Sequence, residues 1–247
     1  MSKIPFVTKP FGPDAVLLEW PKKVDTDILM DILGFREYLL KKHLLEPGWE
    51  LIPVYHSLTL INRMKEVNVA ELIGVLPKWY AQRKGKRSPR TRHWVLPVCY
   101  DTEFAPDLEE VSERLGMAPE ELIEAHTAQP YRVYGIGFLP GFLYLGGIPE
   151  RLKLTRRDEP RLHVAAGSVG LAGEQTGIYP QTSPGGWHII GSCPVPLFVP
   201  EKNPPCVVAP GDQIRFRAIS RAEYDLHKIE GEIGIYKYKR GQSRAEN

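Results

Sequence analysis

The sequence predicts an α+β N-terminal domain followed by a mainly β domain. Three observations carry that prediction. The first ninety-odd residues alternate strand-like and helix-like apolar spacing. After Tyr131 helical periodicity disappears, and short strand-like pieces alternate with Gly and Pro turns. Twelve of the 22 glycines fall between Gly135 and Gly191, marking a change of architecture partway along the chain. At 247 residues with 43% hydrophobic content, the chain is long enough to bury a substantial core.

Taken in order, residues 14–20 (DAVLLEW) read as a short strand. Asp27 to Lys42 sets Ile28, Leu29, Ile32, Leu33, Phe35, Leu39 and Leu40 at helical spacing, and Pro47-Gly48 stops that helix. Glu50 to Ile61 is rich in strand formers, with His56-Ser57 as a turn between two strands. Asn68 suits the cap of a second helix carrying Val69, Leu72, Ile73 and Leu76, with Pro77 set to kink or end it. His93 to Tyr100 returns to strand. The order β-α-β-β-α-β is the split βαβ arrangement, so residues 1–92 are expected to form a ferredoxin-like domain. Residues 107–129 carry two short helices, stopped at Gly116 and restarted at Pro119. Beyond them, strands are expected at Tyr131–Phe138, His163–Leu171, Trp187–Ile190, Val195–Val199, Gln213–Ile219 and Glu232–Tyr238. That texture places a barrel or sandwich over residues 93–240, followed by a polar tail at 241–247.

Composition narrows the function. Thirty-two basic residues nearly cancel thirty acidic ones, so the net charge of +2 creates no broad field for nucleic acid or a membrane surface. The run Arg83–Arg92 holds six basic residues in ten, without interleaved aromatics for base stacking, and reads as a solvated loop. Cys99, Cys193 and Cys206 form no CxxC pair, which favours a reducing cytoplasm over a disulfide framework. The seven histidines show no HxH or HxxxH spacing, so no metal site is expected. No apolar run approaches the roughly 20 residues that span a bilayer.

Three segments stand out as carriers of chemistry. Gly135–Gly147 mixes glycines with Phe138, Phe142 and Tyr144, which suits a pocket rim or a tightly turned barrel corner. Its spacing is not that of a dinucleotide fingerprint. Ala165–Pro180 is a second glycine-rich stretch. Ser168 there lacks the glycine two residues earlier that a nucleophile elbow needs, since Ala166 occupies that place. No GxxxxGK phosphate cradle occurs anywhere, so an ATP site of that type is absent. In the third segment the turn Pro184-Gly185-Gly186 delivers Trp187 and His188 to the start of a strand, on opposite faces. His188 there is either a general acid–base group or a hydrogen-bonded structural histidine. Glu174, between Gly173 and Gly177, is either a ligand-reaching group or part of a surface turn.

Together these segments resemble a known family. GFLPGFLYLGG (Gly137–Gly147), AGSVGLAGEQTGIYP (Ala166–Pro180), SPGGWHIIG (Ser183–Gly191) and APGDQIRF (Ala209–Phe216) resemble the B subunit of 5-oxoprolinase (PxpB), a family also called allophanate hydrolase subunit 1 or KipI. LPVCY (Leu96–Tyr100) and FAPDLEEV (Phe104–Val111) add to the resemblance. It implies a cyclophilin-like β-barrel for the second domain. It also implies a role beside homologous C and A subunits in opening 5-oxo-L-proline to L-glutamate with ATP hydrolysis. Relatives imply two alternatives, inhibition of a sensor histidine kinase and half of a biotin-dependent urea or allophanate-type carboxyltransferase. Any biotin would sit on another chain. On this resemblance and the residue types, His188 and Glu174 are the catalytic candidates. Phe138, Pro140, Gly141, Tyr144, Gly167, Ser168, Gln175, Tyr179, Gly185, Gly186 and Trp187 are the substrate-binding candidates. The N–H groups of the Gly167–Gly177 loop are the expected donors to developing negative charge, in a cleft completed by the C subunit. The chain departs from the family pattern PRTRVPAGSV at residues 160–169 (PRLHVAAGSV), where one arginine is missing.

Overall fold

In the computed structural model, which describes residues 4–83 and 90–241, the chain opens with two short strands, β1 (Val7–Pro10) and β2 (Ala15–Glu19). Helix α1 (Thr26–Lys42) follows, started by Asp25, whose carboxylate accepts from the N–H groups of Asp27 (2.8 Å) and Ile28 (3.3 Å). Strands β3 (Trp49–Val54) and β4 (Ser57–Asn62) form a hairpin that turns at Tyr55-His56, with Tyr55 in the left-handed region. Asn68 caps α2 (Val69–Gln82), accepting from Glu71 N–H at 3.2 Å. The helix continues past Pro77.

The four strands lie in the order β1-β2-β4-β3, antiparallel throughout. The apolar stripes of α1 and α2 join the inward residues of β2 and β4, including Leu18, Ile32, Phe35, Leu60 and Leu76. The expected βαββαβ order needs correction here. An extra strand, β1, precedes β2, and the segment expected to close the pattern, β5 (His93–Val98), belongs to the other sheet. The chain divides at Arg90 and Thr91 into two units, each with its own core.

The second unit continues with α3 (Leu108–Leu115), α4 (Pro119–Thr127), β6 (Tyr131–Ile136), β7 (Leu143–Gly146), β8 (Arg161–Val164), β9 (Ser168–Ala172) and β10 (Gln175–Ile178). It ends with β11 (Ser183–Gly185), β12 (His188–Ser192), β13 (Gln213–Ala218), α5 (Arg221–Glu232) and β14 (Lys239–Arg240). Among the described residues, eight of these strands form one sheet in the order β12-β9-β10-β7-β6-β13-β5-β14, while β8 and β11 pair as a separate ribbon. β13 and β5 run parallel. Just past β5, Cys99 exchanges both backbone hydrogen bonds with Ser192 of β12, at 2.9 Å each. The β12 edge is thereby joined to the chain leaving β5, and alternation gives the strands two distinct faces. Leu143 and Leu145 of β7 enter the main core, whereas Phe142 and Tyr144 enter a second, aromatic cluster.

Two expected strands are absent. Val195–Val199 is irregular, because Pro194 and Pro196 lack the N–H groups a ladder needs. Glu232–Tyr238 mostly follows the end of a helix, α5, that was not expected. Ser220 starts α5: its hydroxyl accepts from Glu223 N–H (3.3 Å) and its own N–H donates to the Glu223 carboxylate (3.2 Å). Ser220→Ala should therefore lower stability by about 1 kcal/mol, read as a fall in the urea midpoint at unchanged slope. An unchanged midpoint would show that the cap contributes nothing.

The basic run Arg83–Arg92 is engaged at both ends, and residues 84–89 lie outside the described residues. Arg83 pairs with the buried Asp31 carboxylate and donates to Asp31 O at 2.9 Å. Trp20 Nε1–H and the Tyr80 hydroxyl share that carboxylate. In the second unit, Arg92 pairs with buried Asp212 of the APGD turn at 2.8 Å, and Asp212 also accepts from Trp94 Nε1–H (3.0 Å) and Ala209 N–H (2.9 Å). These are core clamps, so both ends of the run are structural rather than parts of a solvated loop. Residues 242–247, most of the expected polar tail, also lie outside the described residues.

A third buried polar group is His126, at the end of α4. The Tyr100 hydroxyl donates to its Nδ1 (2.7 Å), its Nε2–H donates to Thr176 Oγ1 (2.9 Å), and Thr176 donates in turn to Gly170 O (3.0 Å). The ring stacks on Phe216 at 4.6 Å. Burial holds its pKa down at about 3, so it stays neutral.

Candidate functional site

The aromatic residues singled out in the sequence do converge. Phe142 lies 4.9 Å from Tyr144, 5.2 Å from Tyr179 and 5.5 Å from Trp187, centroid to centroid. Phe138 packs edge-on to Phe142 at 5.7 Å, yet is 64% exposed and sits at φ 69°. Glycine is required at two points beside this cluster. A Cβ on Gly177 would approach Leu143 O to 2.8 Å and the Trp187 ring to 2.9 Å, and one on Gly185 would enter the Tyr179 ring. Phe142, Tyr179 and Trp187 are nearly inaccessible, whereas Tyr144 is half-buried and Pro140 is exposed. The cluster is thus a packed wall whose accessible members are Phe138 and Tyr144, with exposed Pro140 in the loop between Phe138 and Phe142. Gly141 lies against Phe198, while Gly186 stands near Pro160 with no close contact.

A charged network fastens the turn leading into β12. Asp107, 2% exposed, would ordinarily cap α3, but its side chain makes no cap hydrogen bond. Its carboxylate instead accepts from Ile189 N–H (2.6 Å), Arg157 (3.2 Å) and both terminal nitrogens of Arg161 (2.5 and 2.8 Å). Asp107 N–H returns a bond to Ile189 O at 3.0 Å. The segment carrying these arginines is also held through its backbone, since Arg157 N–H donates to Gly186 O at 3.0 Å and Thr155 O lies 3.1 Å from His188 Nε2.

That last contact fixes His188. Its Nε2 carries the proton, because the partner is a carbonyl oxygen. Its Nδ1 is buried without a partner among the described residues. Burial is the main cause of a lowered pKa, so the ring is neutral. Of the two readings of His188, the hydrogen-bonded structural one matches this geometry. Trp187 and His188 do diverge, as alternation requires: Trp187 joins the aromatic cluster, and His188 turns toward the charged groups of α3.

Glu174 lies on the exposed turn between β9 and β10, paired with Lys153 at 2.7 Å. Gln175 begins β10 beside that turn, opposite Gly146 and Ala172. No hydrogen bond joins Glu174 to His188. The glycine-loop donors are also engaged. Gly167 N–H donates to Tyr179 O (2.7 Å) and Gly173 N–H to Leu154 O (2.6 Å). The expectation that these two N–H groups face a ligand is corrected accordingly. Ser168 is buried in β9, its carbonyl accepting from Tyr179 N–H at 2.9 Å.

On the far side of Tyr179, Gly167 helps line a cavity of about 310 Å³, with Cys193, Pro194, Val195 and the α5 residues Tyr224 and Lys228. Burial pushes the Cys193 thiol up to about 12, so it is no nucleophile at neutral pH. Among the described residues no group of three His, Cys, Asp or Glu side chains is placed to hold a metal ion, and no helix is long and apolar enough to cross a membrane. Sequence spacing missed Asp107, Arg157 and Arg161. The two arginines' one local signal was the dense charge of residues 156–161 (RRDEPR), and Asp107 had only its place at the start of α3.

Known proteins share both this sequence and this fold. Residues 6–208 match the family described as carboxyltransferase domain, subdomain C and D. The chain is 35% identical, over 89% of its length and 95% of the other, to a Bacillus subtilis protein named as the B subunit of 5-oxoprolinase. It is 41% identical to the Escherichia coli O157:H7 protein of the same name, over 68% of this chain and 76% of that one. Among solved structures, TTHA0988 superposes with a TM-score of 0.70 at 33% identity over 83% of this chain, which spans only 40% of that longer chain. Kluyveromyces lactis urea carboxylase superposes with a TM-score of 0.76 over 96% of this chain and 24% of its own, and at 16% identity it shows the shared mixed α/β fold alone. The chain therefore belongs to the family of 5-oxoprolinase B subunits, and it matches the carboxyltransferase subdomains C and D.

Proposed function

We propose that this protein is the B subunit of a cytoplasmic, ATP-dependent 5-oxoprolinase, inactive alone and working with A and C subunits to convert 5-oxo-L-proline to L-glutamate. The observation that carries this reading is the 35% identity spanning 95% of the Bacillus subtilis protein. A cyclophilin-like barrel for residues 93–240 accords with the Cys99–Ser192 junction between β12 and the chain leaving β5. A ferredoxin-like ancestry for residues 1–92 would need its closing strand exchanged for β1.

Cleaving the lactam C–N bond leaves an amine that needs a proton and a carbonyl oxygen that gathers charge. ATP would supply the activation of that oxygen. This chain's engaged glycine N–H groups and neutral, carbonyl-bonded His188 suit it to shaping one wall of the site. The wall would comprise Phe138, Pro140, Tyr144 and the Gly185-Gly186 turn, with the C subunit completing the cleft. His188 is then a positioning residue for the Thr155–Arg161 segment. A catalytic role for Glu174 requires a partner chain to bring the substrate to its turn.

The decisive experiment is co-expression with the A and C subunits, followed by ATP-dependent 5-oxoproline turnover with each subunit omitted. Activity that survives omission of this chain would end the proposal. A biotin-dependent carboxylation or a captured sensor kinase would instead support one of the two alternatives. Within the active complex, His188→Ala should lower kcat/KM about tenfold, while His188→Gln, which can still donate to Thr155 O, should retain most of it. Equal and near-complete loss in both variants would restore His188 as a proton donor.

A further inference from the structure

We infer that Arg156 is the carboxylate-recognition residue of this site, holding the anionic group of a small cyclic acid against the accessible aromatic edge formed by Phe138 and Tyr144. The inference rests on the 5-oxoprolinase reading and adds to it the group that would bind the substrate's carboxylate.

The segment Thr155–Arg161 is an arm pinned on both sides of Arg156. Thr155 O is held by His188 Nε2–H, Arg157 N–H by Gly186 O, and the Arg157 and Arg161 side chains by Asp107. Arg161 also pairs with Gly185 across the β8–β11 ribbon. Two of the arm's three arginines are therefore occupied by one buried carboxylate. Arg156, between them, is exposed, and no carboxylate lies within ion-pair distance of it among the described residues. An arginine so placed has a fixed backbone and a free fork.

Its surroundings favour a ring-bearing acid. Arg156 sits between Thr155, bonded to His188, and Arg157, bonded to Gly186. The residue between those two partners, Trp187, packs 5.5 Å from Phe142 and 6.5 Å from Tyr144, ring to ring. The Arg156 charge also opposes the upward pKa shift that burial gives Tyr144 and Tyr179. Phe138 stands beside this wall with its ring largely open to solvent, in a backbone conformation that residues other than glycine rarely adopt. Such strain persists where surrounding structure enforces it, and here it accompanies an aromatic side chain that is exposed yet in edge-on contact with Phe142. A guanidinium accepts a carboxylate in two parallel hydrogen bonds, while an adjacent aromatic surface covers a small apolar ring. The patch is open on its outer side, which suits a half-site that a second chain closes.

The test uses the assembled three-subunit complex. Arg156→Ala should raise KM for 5-oxoproline at least tenfold with kcat within about threefold, and Arg156→Lys should recover part of the loss. Tetrahydrofuran-2-carboxylate, a ring acid without the lactam, should inhibit the wild-type complex and lose that inhibition with Arg156→Ala. Inhibition by 2-pyrrolidinone, the lactam without the carboxylate, should be unaffected by the substitution. A KM within twofold of wild type would overturn the inference while leaving the functional reading intact. If the wild-type complex turns over no 5-oxoproline, that reading fails on its own. Arg156 is then judged by calorimetric binding of tetrahydrofuran-2-carboxylate to the full chain. Binding abolished by Arg156→Ala sustains the inference; absent or equal binding overturns it. An unchanged thermal midpoint for Arg156→Ala should confirm that the variant folds.

Discussion

Asp107→Ala should destabilise the protein by about 3 kcal/mol and should raise KM for 5-oxoproline in the complex by roughly the same factor as Arg156→Ala. The carboxylate is 2% exposed and anchors two arginines plus a main-chain N–H. Removing one partner of a buried pair leaves uncompensated charge, which costs about 3–5 kcal/mol. The lower end applies because the Arg157 and Arg161 side chains keep 24% and 29% exposure and can draw on water. Asp107→Asn, which preserves an acceptor for Ile189 N–H but no charge, should lie between. Urea denaturation gives the stability change. A loss below about 1 kcal/mol in the alanine variant would show that the network is not what fastens the arm.

The second large effect is a pH dependence. His126 is neutral in the folded state with a pKa of about 3, against about 6.5 when exposed. Below pH 6.5 the unfolded chain binds a proton that the folded chain refuses. Stability contributed by this site is therefore complete above pH 6.5 and is lost as pH falls from there toward 3. The loss from this residue alone should be about 2 kcal/mol at pH 5, growing by roughly 1.4 kcal/mol for each further unit. His126→Phe removes the titrating group and should flatten that part of the profile, although it lowers stability at neutral pH by leaving Tyr100 and Thr176 without their partner. Parallel profiles for both proteins between pH 6.5 and 4 would exclude the assignment. An NMR titration offers a direct check, since the His126 ring resonances should stay fixed to pH 4 while exposed histidines shift.

Much of this architecture was legible in the sequence wherever local signals decide it. The first four helices were visible because their buried residues recur at three- and four-residue spacing, and Asn68 caps where its side chain can only help a helix start. Helix α5 escaped for the opposite reason. It buries only Tyr224, while Leu226 and Ile229 are exposed, so no apolar stripe marks it, and the only element expected nearby was the strand at Glu232–Tyr238. The true cue was the Ser220–Glu223 reciprocal cap. The aromatic wall was also legible, because Phe, Tyr and Trp beside glycines are rarely placed by chance. Its charged support was not: Asp107 meets Arg157 and Arg161 across 50 and 54 residues, and no local rule pairs them. The roles of His188 and the glycine N–H groups turned on which partner each had found, and spacing does not reveal that.

The parallel pairing of β5 with β13 has a consequence for how the chain is made. Every described strand pairing of the first unit closes between Val7 and Asn62 and its second helix ends at Gln82, so that unit can fold as soon as its ninety residues leave the ribosome. β5 is synthesised next, but the Asp212 carboxylate that clamps Arg92 beside it lies 120 residues downstream. At ordinary translation rates of about 5–20 residues per second, β5 waits roughly 6–24 s for its parallel neighbour. Throughout that interval an apolar strand bearing Trp94, Leu96 and Val98 has an unfilled edge. This chain is thus most open to nascent-chain binding factors, and to mispairing, after its first unit is complete and before its last sixth has been translated.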